Sequence, residues 1–280
     1  MRMNNEIGFL YIATGEEFVE EARISARTVA KHHPNIPICL MTDIDVQDSV
    51  FDEFQQIDDP QYGFEDQIHQ LSETPFKRTI YLDSDIYADD NVSEVFNTLD
   101  EFDVALVHSQ SREAWSIPDV PEAFPEYNSG VMAYKLTGSF HQFLSLWEEI
   151  YFTKKESETT MRNQPSLREA LYESDIRIAT LTPEYNCMFR YPGHVVGKVK
   201  LFHGRLQSVD GPGAGEYFDV ETAVDVINQT EDPRVFTQLG GITLHTNKTD
   251  SLLHRARLSY RKHGIKHVLV EGFNLFRDRM

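Results

Sequence analysis

The first 42 residues set an apolar run of strand length, an amphipathic helix and a second apolar run in succession, an order few folds accept. Residues 6–13 (Glu-Ile-Gly-Phe-Leu-Tyr-Ile-Ala) read as a strand closed by Thr14-Gly15. Over 16–32 the apolar positions Phe18, Val19, Ala22, Ala26, Val29 and Ala30 recur at helical spacing, and Pro34 stops the pattern. A second strand at about 36–41 ends at Thr42-Asp43. This is a βαβ unit, whose two strands lie parallel with the helix crossing over them. It predicts the α/β class: a mixed, mostly parallel sheet flanked by helices.

The rest of the chain fits that class. Short strands are expected near 54–57, 80–82, 103–108, 130–135, 176–181 and 198–202, with helices at 64–73, 139–152 and 164–173. Residues 111–126, rich in Pro and polar side chains, read as a long loop above the site, and 208–216 as a Gly-rich loop. Residues 248–280 differ in character, with eight Lys and Arg against three carboxylates. Apolar positions such as Leu252, Leu253, Ala256 and Tyr260 there share one helical face. The expected division is a domain over 1–247 and a basic amphipathic helical tail over 248–280. That tail either packs on the domain or lies against a membrane surface.

Composition narrows the classes further. A net charge of −19 argues against nucleic-acid binding, because phosphate contacts need Lys and Arg. Acidic excess over an ordinary core, with Arg outnumbering Lys, reads as adaptation of the host cell to salt, a halophilic signature. The N-terminus enters the first strand without a signal-peptide pattern, and the only cysteines are Cys39 and Cys187. Both features predict a cytoplasmic protein, peripheral to the inner membrane face if the tail docks there.

The chemistry concentrates at Thr79-Ile80-Tyr81-Leu82-Asp83-Ser84-Asp85. Two carboxylates one residue apart follow an apolar strand, and ligands of open α/β sheets bind at that carboxyl edge. Hard oxygen ligands there suit Mg²⁺ or Mn²⁺, which in turn suit a diphosphate. Two solvated Asp residues in an acidic chain are the bland alternative.

Features in order around the Asp pair tip the balance. The chain resembles GT-A fold glycosyltransferases, and in particular glycosyltransferase family 8, the glycogenin and lipopolysaccharide galactosyltransferase group, over roughly residues 6–205. The resemblance rests on the Asp83-Ser84-Asp85 motif, Tyr127-Asn128-Ser129-Gly130-Val131, Asn163-Gln164, Pro183-Glu184-Tyr185-Asn186 and His203-Gly204-Arg205. It implies a metal site of Asp83, Asp85 and His203 holding Mn²⁺ or Mg²⁺, with Asp83 also serving the ribose. It implies that Ala13, Thr14 and Gly15, with Asp43 from the second strand, meet the base and ribose of a nucleotide-diphosphate sugar. Arg78, or the adjacent Lys77, is the family-like cation before the Asp pair. Asn128, Asn163 and Gln164 take the places that contact the donor sugar near its anomeric carbon. Asn163 stands where the family has Asp, and the longer His-x-x-Gly-x-x-Lys-Pro-Trp pattern is absent, which leaves Arg205 to replace the missing Lys. The implied activity is metal-dependent transfer of a sugar, most simply from a UDP-sugar, with retained anomeric configuration, to a glycan, lipid or protein acceptor.

Three other readings compete with this one. A haloacid-dehalogenase-like phosphotransferase also uses Asp-x-Asp after a strand, but expects Thr or Val where this chain has Tyr87, and its motif opens the domain. A sugar-nucleotidyltransferase would need a Gly-rich N-terminal loop with Arg and Lys. A catalytically inactive nucleotide-sugar binder or assembly subunit is the non-enzymatic alternative.

Overall fold

The computed structural model describes residues 6–110, 116–157, 162–208, 219–236 and 243–245. The basic tail and nearly all of the Gly-rich loop lie outside them. In chain order the helices and strands are β1 (Ile7–Ile12), α1 (Glu16–His32), β2 (Ile38–Thr42), β3 (Glu53–Gln56), α2 (Phe64–Gln70), β4 (Arg78–Leu82), β5 (Ile86–Ala88), α3 (Val95–Thr98), β6 (Val104–His108) and β7 (Tyr127–Lys135). They continue with α4 (Gly138–Ser157), α5 (Asn163–Glu173), β8 (Ile178–Leu181), β9 (Gly193–Val195), β10 (Leu201–His203), α6 (Val220–Ile227), β11 (Arg234–Phe236) and β12 (Thr243–His245).

Seven strands form one sheet in the order β3-β2-β1-β4-β7-β6-β8. All run in the same direction except β7, which is antiparallel to both β4 and β6. From β1 the chain builds outward through β2 and β3, then returns to place β4 on the other flank of β1. The crevice at the carboxyl ends of β1 and β4 is therefore a topological switch point, where open α/β sheets bind ligands. Because β7 runs the other way, its first residues rather than its last come to that same edge.

Both faces of the sheet are covered. One carries α1 and the short α3, packed through Val19, Ala22, Ala26 and Val29 against Phe9, Leu40 and Ile80. The other carries α2, α4 and α5, whose Ile68, Phe143, Trp147 and Leu167 close over Leu10, Met41 and Met132. Trp147 is fully buried and donates its indole N–H to Ser166 Oγ at 3.1 Å, so its one polar atom is satisfied. Cys39 and Cys187 are buried and free.

Two smaller sheets complete the described chain. The ribbon β5–β10 ties the segment after β4 to residues 201–203, and β9, β11 and β12 form a three-stranded sheet over a small core of Cys187, Phe202 and Phe236. The described part of the 111–126 loop is irregular but anchored elsewhere than expected. Buried Arg168 of α5 donates to the carbonyls of Pro121 and Phe124, and none of these loop residues lines the cleft described below. No helix among the described residues is long and apolar enough to cross a membrane.

Candidate active site

A cleft opens at the switch point. Ile12, Ala13 and Thr14 line it from the end of β1, Tyr81, Asp83, Ser84 and Asp85 from the end of β4, and Tyr62, Gly63, Phe64, Asp66 and Gln67 from the turn into α2. Arg205 is the single cation among its lining residues, against the carboxylates of Asp66, Asp83 and Asp85.

Asp83, Asp85 and His203 each present a ligand atom, and these atoms lie within 4.8 Å of one another. The β5–β10 ribbon brings them together, since His203 pairs in register with Ile86, one residue beyond Asp85. His203 Nε2 stands 3.2 Å from Asp85 Oδ1 and 3.8 Å from Asp83 Oδ2. The other ring nitrogen, Nδ1, donates to Asn186 Oδ1 at 2.8 Å, and Asn186 Nδ2 donates in turn to Asn128 Oδ1 at 2.7 Å. That chain fixes the ring and leaves Nε2 as its ligand atom, the usual support of a metal-bound histidine. Tyr81 OH donates to Asp83 Oδ1 at 2.6 Å, so Oδ2 is the oxygen turned toward His203. Two carboxylates and one imidazole, all converging, fit Mn²⁺ or Mg²⁺.

The electrostatics separate the two aspartates. Burial would raise Asp85, but the His203 ring and the Arg205 guanidinium outweigh it and hold the carboxyl below the usual range. Burial and the charge of Asp85 push Asp83 up. A third carboxylate stands behind them. Glu21 of α1 is fully buried, and burial followed by the charge of Asp85 pushes it up as well. It accepts from Ser84 Oγ at 2.7 Å, from the Leu206 N–H at 3.0 Å and from Arg205 Nη1. Arg205 Nε lies 3.7 Å from Asp85 Oδ2, and its guanidinium stacks over Phe18 at 5.4 Å.

The start of β7 supplies the floor. A β-bulge shifts the β6–β7 register between Leu106, opposite Met132, and Val107, opposite Asn128. Bulges occur beside active sites, and here Gly130 comes to lie against Asp83 and His203 while Ser129 meets Gln67 and Asn163. The Gly130 carbonyl accepts from the Asp83 N–H at 2.8 Å. Asn128 is buried, and both of its hydrogen bonds, from Asn186 and from the Gly130 N–H, fall on its amide oxygen. Asn163 does not cap α5; its Nδ2 donates to Gln67 Oε1 at 2.6 Å and to Ser129 Oγ at 2.9 Å, which ties α5 to the cleft wall. Gln164 is half-buried at the first turn of α5 and is not among the residues lining the cleft.

At the β1 end, Asp43 Oδ1 accepts from the Gly15 N–H at 2.8 Å, and Thr14 donates to Asp66 Oδ2 at 2.7 Å. Gly15 has φ +87°, the left-handed region that favours glycine, so this turn suits its residue. Arg78 is not brought to the cleft. It begins β4, and five extended residues carry it about 16 Å from the Asp pair. There it pairs with Asp100 at 2.7 Å, while Lys77 pairs with Glu6. Arg205 is the cation the fold delivers instead.

Sequence reading passed over Glu21, Asp66 and Gln67. Glu21 falls beside, not on, the stripe of Val19, Ala22, Ala26 and Val29, so helical spacing does not mark it as buried. Asp66 and Gln67 lie in a helix of seven residues, too short to show which face is buried.

Neither a family model nor a curated protein matches the sequence. Solved structures do match. A crystal structure of the galactosyltransferase LgtC, in complex with donor and acceptor sugar analogs, is 12% identical and aligns over 65% of this chain and 75% of its own, with a TM-score of 0.51. The glycosyltransferase GlyE of Streptococcus pneumoniae TIGR4 is 14% identical over 66% of this chain, with a TM-score of 0.51, and the match spans about half (48%) of GlyE. At such identities the likeness is one of architecture, and it agrees with the motifs: the chain has the GT-A fold of the glycosyltransferases, resembling family 8.

Proposed function

We propose that the protein is a metal-dependent glycosyltransferase that takes its sugar from a nucleoside-diphosphate donor, in the first instance a UDP-sugar. One observation carries this: Asp83, Asp85 and His203 converge within 4.8 Å at the switch point of a glycosyltransferase fold. Asp83, Asp85 and His203 hold the ion, and Asn186 keeps His203 in the tautomer that does so. A divalent ion bound there supplies positive charge to the departing diphosphate. Arg205 provides a second cation on the same side, braced by Glu21 and Phe18.

Asn128, Asn163 and Gln164 are assigned to the donor sugar in this reading on the family resemblance alone, since none of the three lines the cleft. The wall of Gln67, Ser129 and Asn163 is held rigid by its own hydrogen bonds, which suits orientation of a sugar whose anomeric bond is to break. Ala13, Thr14, Gly15 and Asp43 are assigned to the nucleoside. The acceptor, whether glycan, lipid or protein, is left open.

Melting temperatures in molar salt with UDP, GDP or dTDP, each with and without Mn²⁺, test the proposal in the full chain and in Asp85→Asn. A ligand that binds only the native state raises the melting temperature, by the equivalent of about 2.7 kcal/mol at a hundredfold excess over Kd. A rise that needs nucleotide and Mn²⁺ together, and that Asp85→Asn abolishes, is expected. A Mn²⁺ effect indifferent to nucleotide would point to the phosphotransferase reading, and no effect to neither.

A further inference from the structure

Tyr62 is more than half exposed (54%) yet is held in a conformation that L side chains rarely adopt, with φ +54°. It precedes Gly63 and α2, on the lip of the cleft. Two hydrogen bonds keep it there. Its N–H donates to Asp66 Oδ2 at 2.9 Å, and its hydroxyl donates to Asp43 Oδ2 at 3.1 Å. Its ring edge lies across the Gly15 turn, 3.9 Å from where a Cβ on that glycine would stand. An exposed ring adds little to the core, so a strained backbone fixed in this way points to use at the surface.

The position in the cleft selects that use. Asp83, Asp85, His203 and Arg205 fix the diphosphate at the β4 side, and the Gln67–Asn163 amides lie deeper along α2 and α5. Tyr62 stands at the β1–β2 side, where a donor held by its diphosphate extends its nucleoside. A flat ring more than half exposed matches a planar heteroaromatic base, because every base has a π-face to stack. We infer that Tyr62 is the platform on which the donor's nucleobase stacks, and that it separates nucleoside diphosphates from bare diphosphate. This rests on the reading of the cleft as a nucleoside-diphosphate site.

The test is calorimetric titration of the full-length, Mn²⁺-saturated protein with UDP, GDP, dTDP and inorganic pyrophosphate. The proteins compared are wild type, Tyr62→Phe, Tyr62→Ala and Tyr62→Gly. Base–aromatic stacking predicts that the Ala and Gly variants lose roughly tenfold or more in affinity for the preferred nucleotide. Pyrophosphate affinity stays as in wild type, and Phe, which keeps the ring, stays within about threefold on the same ground. Tyr62→Gly also relieves the backbone, so its melting temperature holds or rises while nucleotide binding falls, a pairing that a stabilising role cannot produce. Equal nucleotide affinity in wild type and Tyr62→Ala overturns the inference alone, as does a parallel loss of nucleotide and pyrophosphate. Wild-type protein that binds none of the three nucleotides overturns the inference together with the donor reading.

Discussion

Gly130 offers the sharpest test of how the metal ligands are packed. A Cβ built on it would stand 2.4 Å from His203 Cε1, 2.7 Å from Asp83 Oδ2 and 3.0 Å from Asn128 Oδ1. Ordinary carbon contacts begin near 3.5 Å, so Gly130→Ala must drive the His203 ring back by about 1 Å. The ring has nowhere to go: it is buried, hydrogen-bonded to Asn186, and its strand is paired with β5. Overpacking of this kind costs about 1–3 kcal/mol of stability. Metal–ligand distances hold to about 0.2 Å, so a shift of this size should also weaken Mn²⁺ binding by about 10–100-fold or more. Electron paramagnetic resonance of free Mn²⁺ during titration reads the second effect, and a thermal melt without metal reads the first. Gly138→Ala is the control: a Cβ there meets nothing within 4 Å, and the change should be neutral or stabilising by about 0.4–1 kcal/mol. Wild-type Mn²⁺ affinity in a folded Gly130→Ala protein would refute the assignment of His203 and Asp83 to one ion.

Two further outcomes follow from the groups behind the ligands. Asn186→Leu removes the acceptor that sets the His203 tautomer and should cost about 10–100-fold in Mn²⁺ affinity, read by the same titration; unchanged affinity would deny Asn186 that role. Glu21 ordinarily titrates near 4.5, and burial with the charge of Asp85 raises it in the fold. The native protein then holds a proton that the unfolded chain has already released. The resulting stability is full below pH 4.5 and is lost as pH rises through the raised value. The melting temperature of metal-free wild type, relative to Glu21→Gln, should therefore decline from pH 4.5 toward neutrality, and a flat difference would show that Glu21 is not raised.

Long periodic elements were legible in the sequence, as were the short strands β3 and β10, but several other short elements and the tertiary pairings were not. The apolar spacing that marks 16–32 as a helix is met by α1 at Glu16–His32, because Val19, Ala22, Ala26 and Val29 are the face it buries. Tyr127-Asn128-Ser129-Gly130 has the composition of a turn but lies in β7, where the Asp83 N–H bond to the Gly130 carbonyl and the pairing with β4 outweigh turn propensity. Strands β5, β9, β11 and β12 were not foreseen; each has three residues, too few to show a period. Within the site, Asp83, Asp85 and His203 stand out by residue type and order. Arg78 lies away from the cleft for a geometric reason: five residues of strand span a different distance from five residues of turn, and spacing alone does not tell them apart. Glu21 and Arg205 meet 184 residues apart, a pairing that no local pattern encodes.

The ribbon that carries His203 back to β5 also sets when the centre can exist at all. The seven-stranded sheet has all its strands once Leu181 is made, but Asp83 and Asp85 are synthesised on the order of 120 residues before His203 and Arg205. At about 5–20 residues per second, that leaves them facing each other for several seconds without their cationic neighbour. Over the same interval β5 presents an open edge, a template for mispairing that its three-residue length keeps small. The acidic turn is thus made well before the ribbon that completes it.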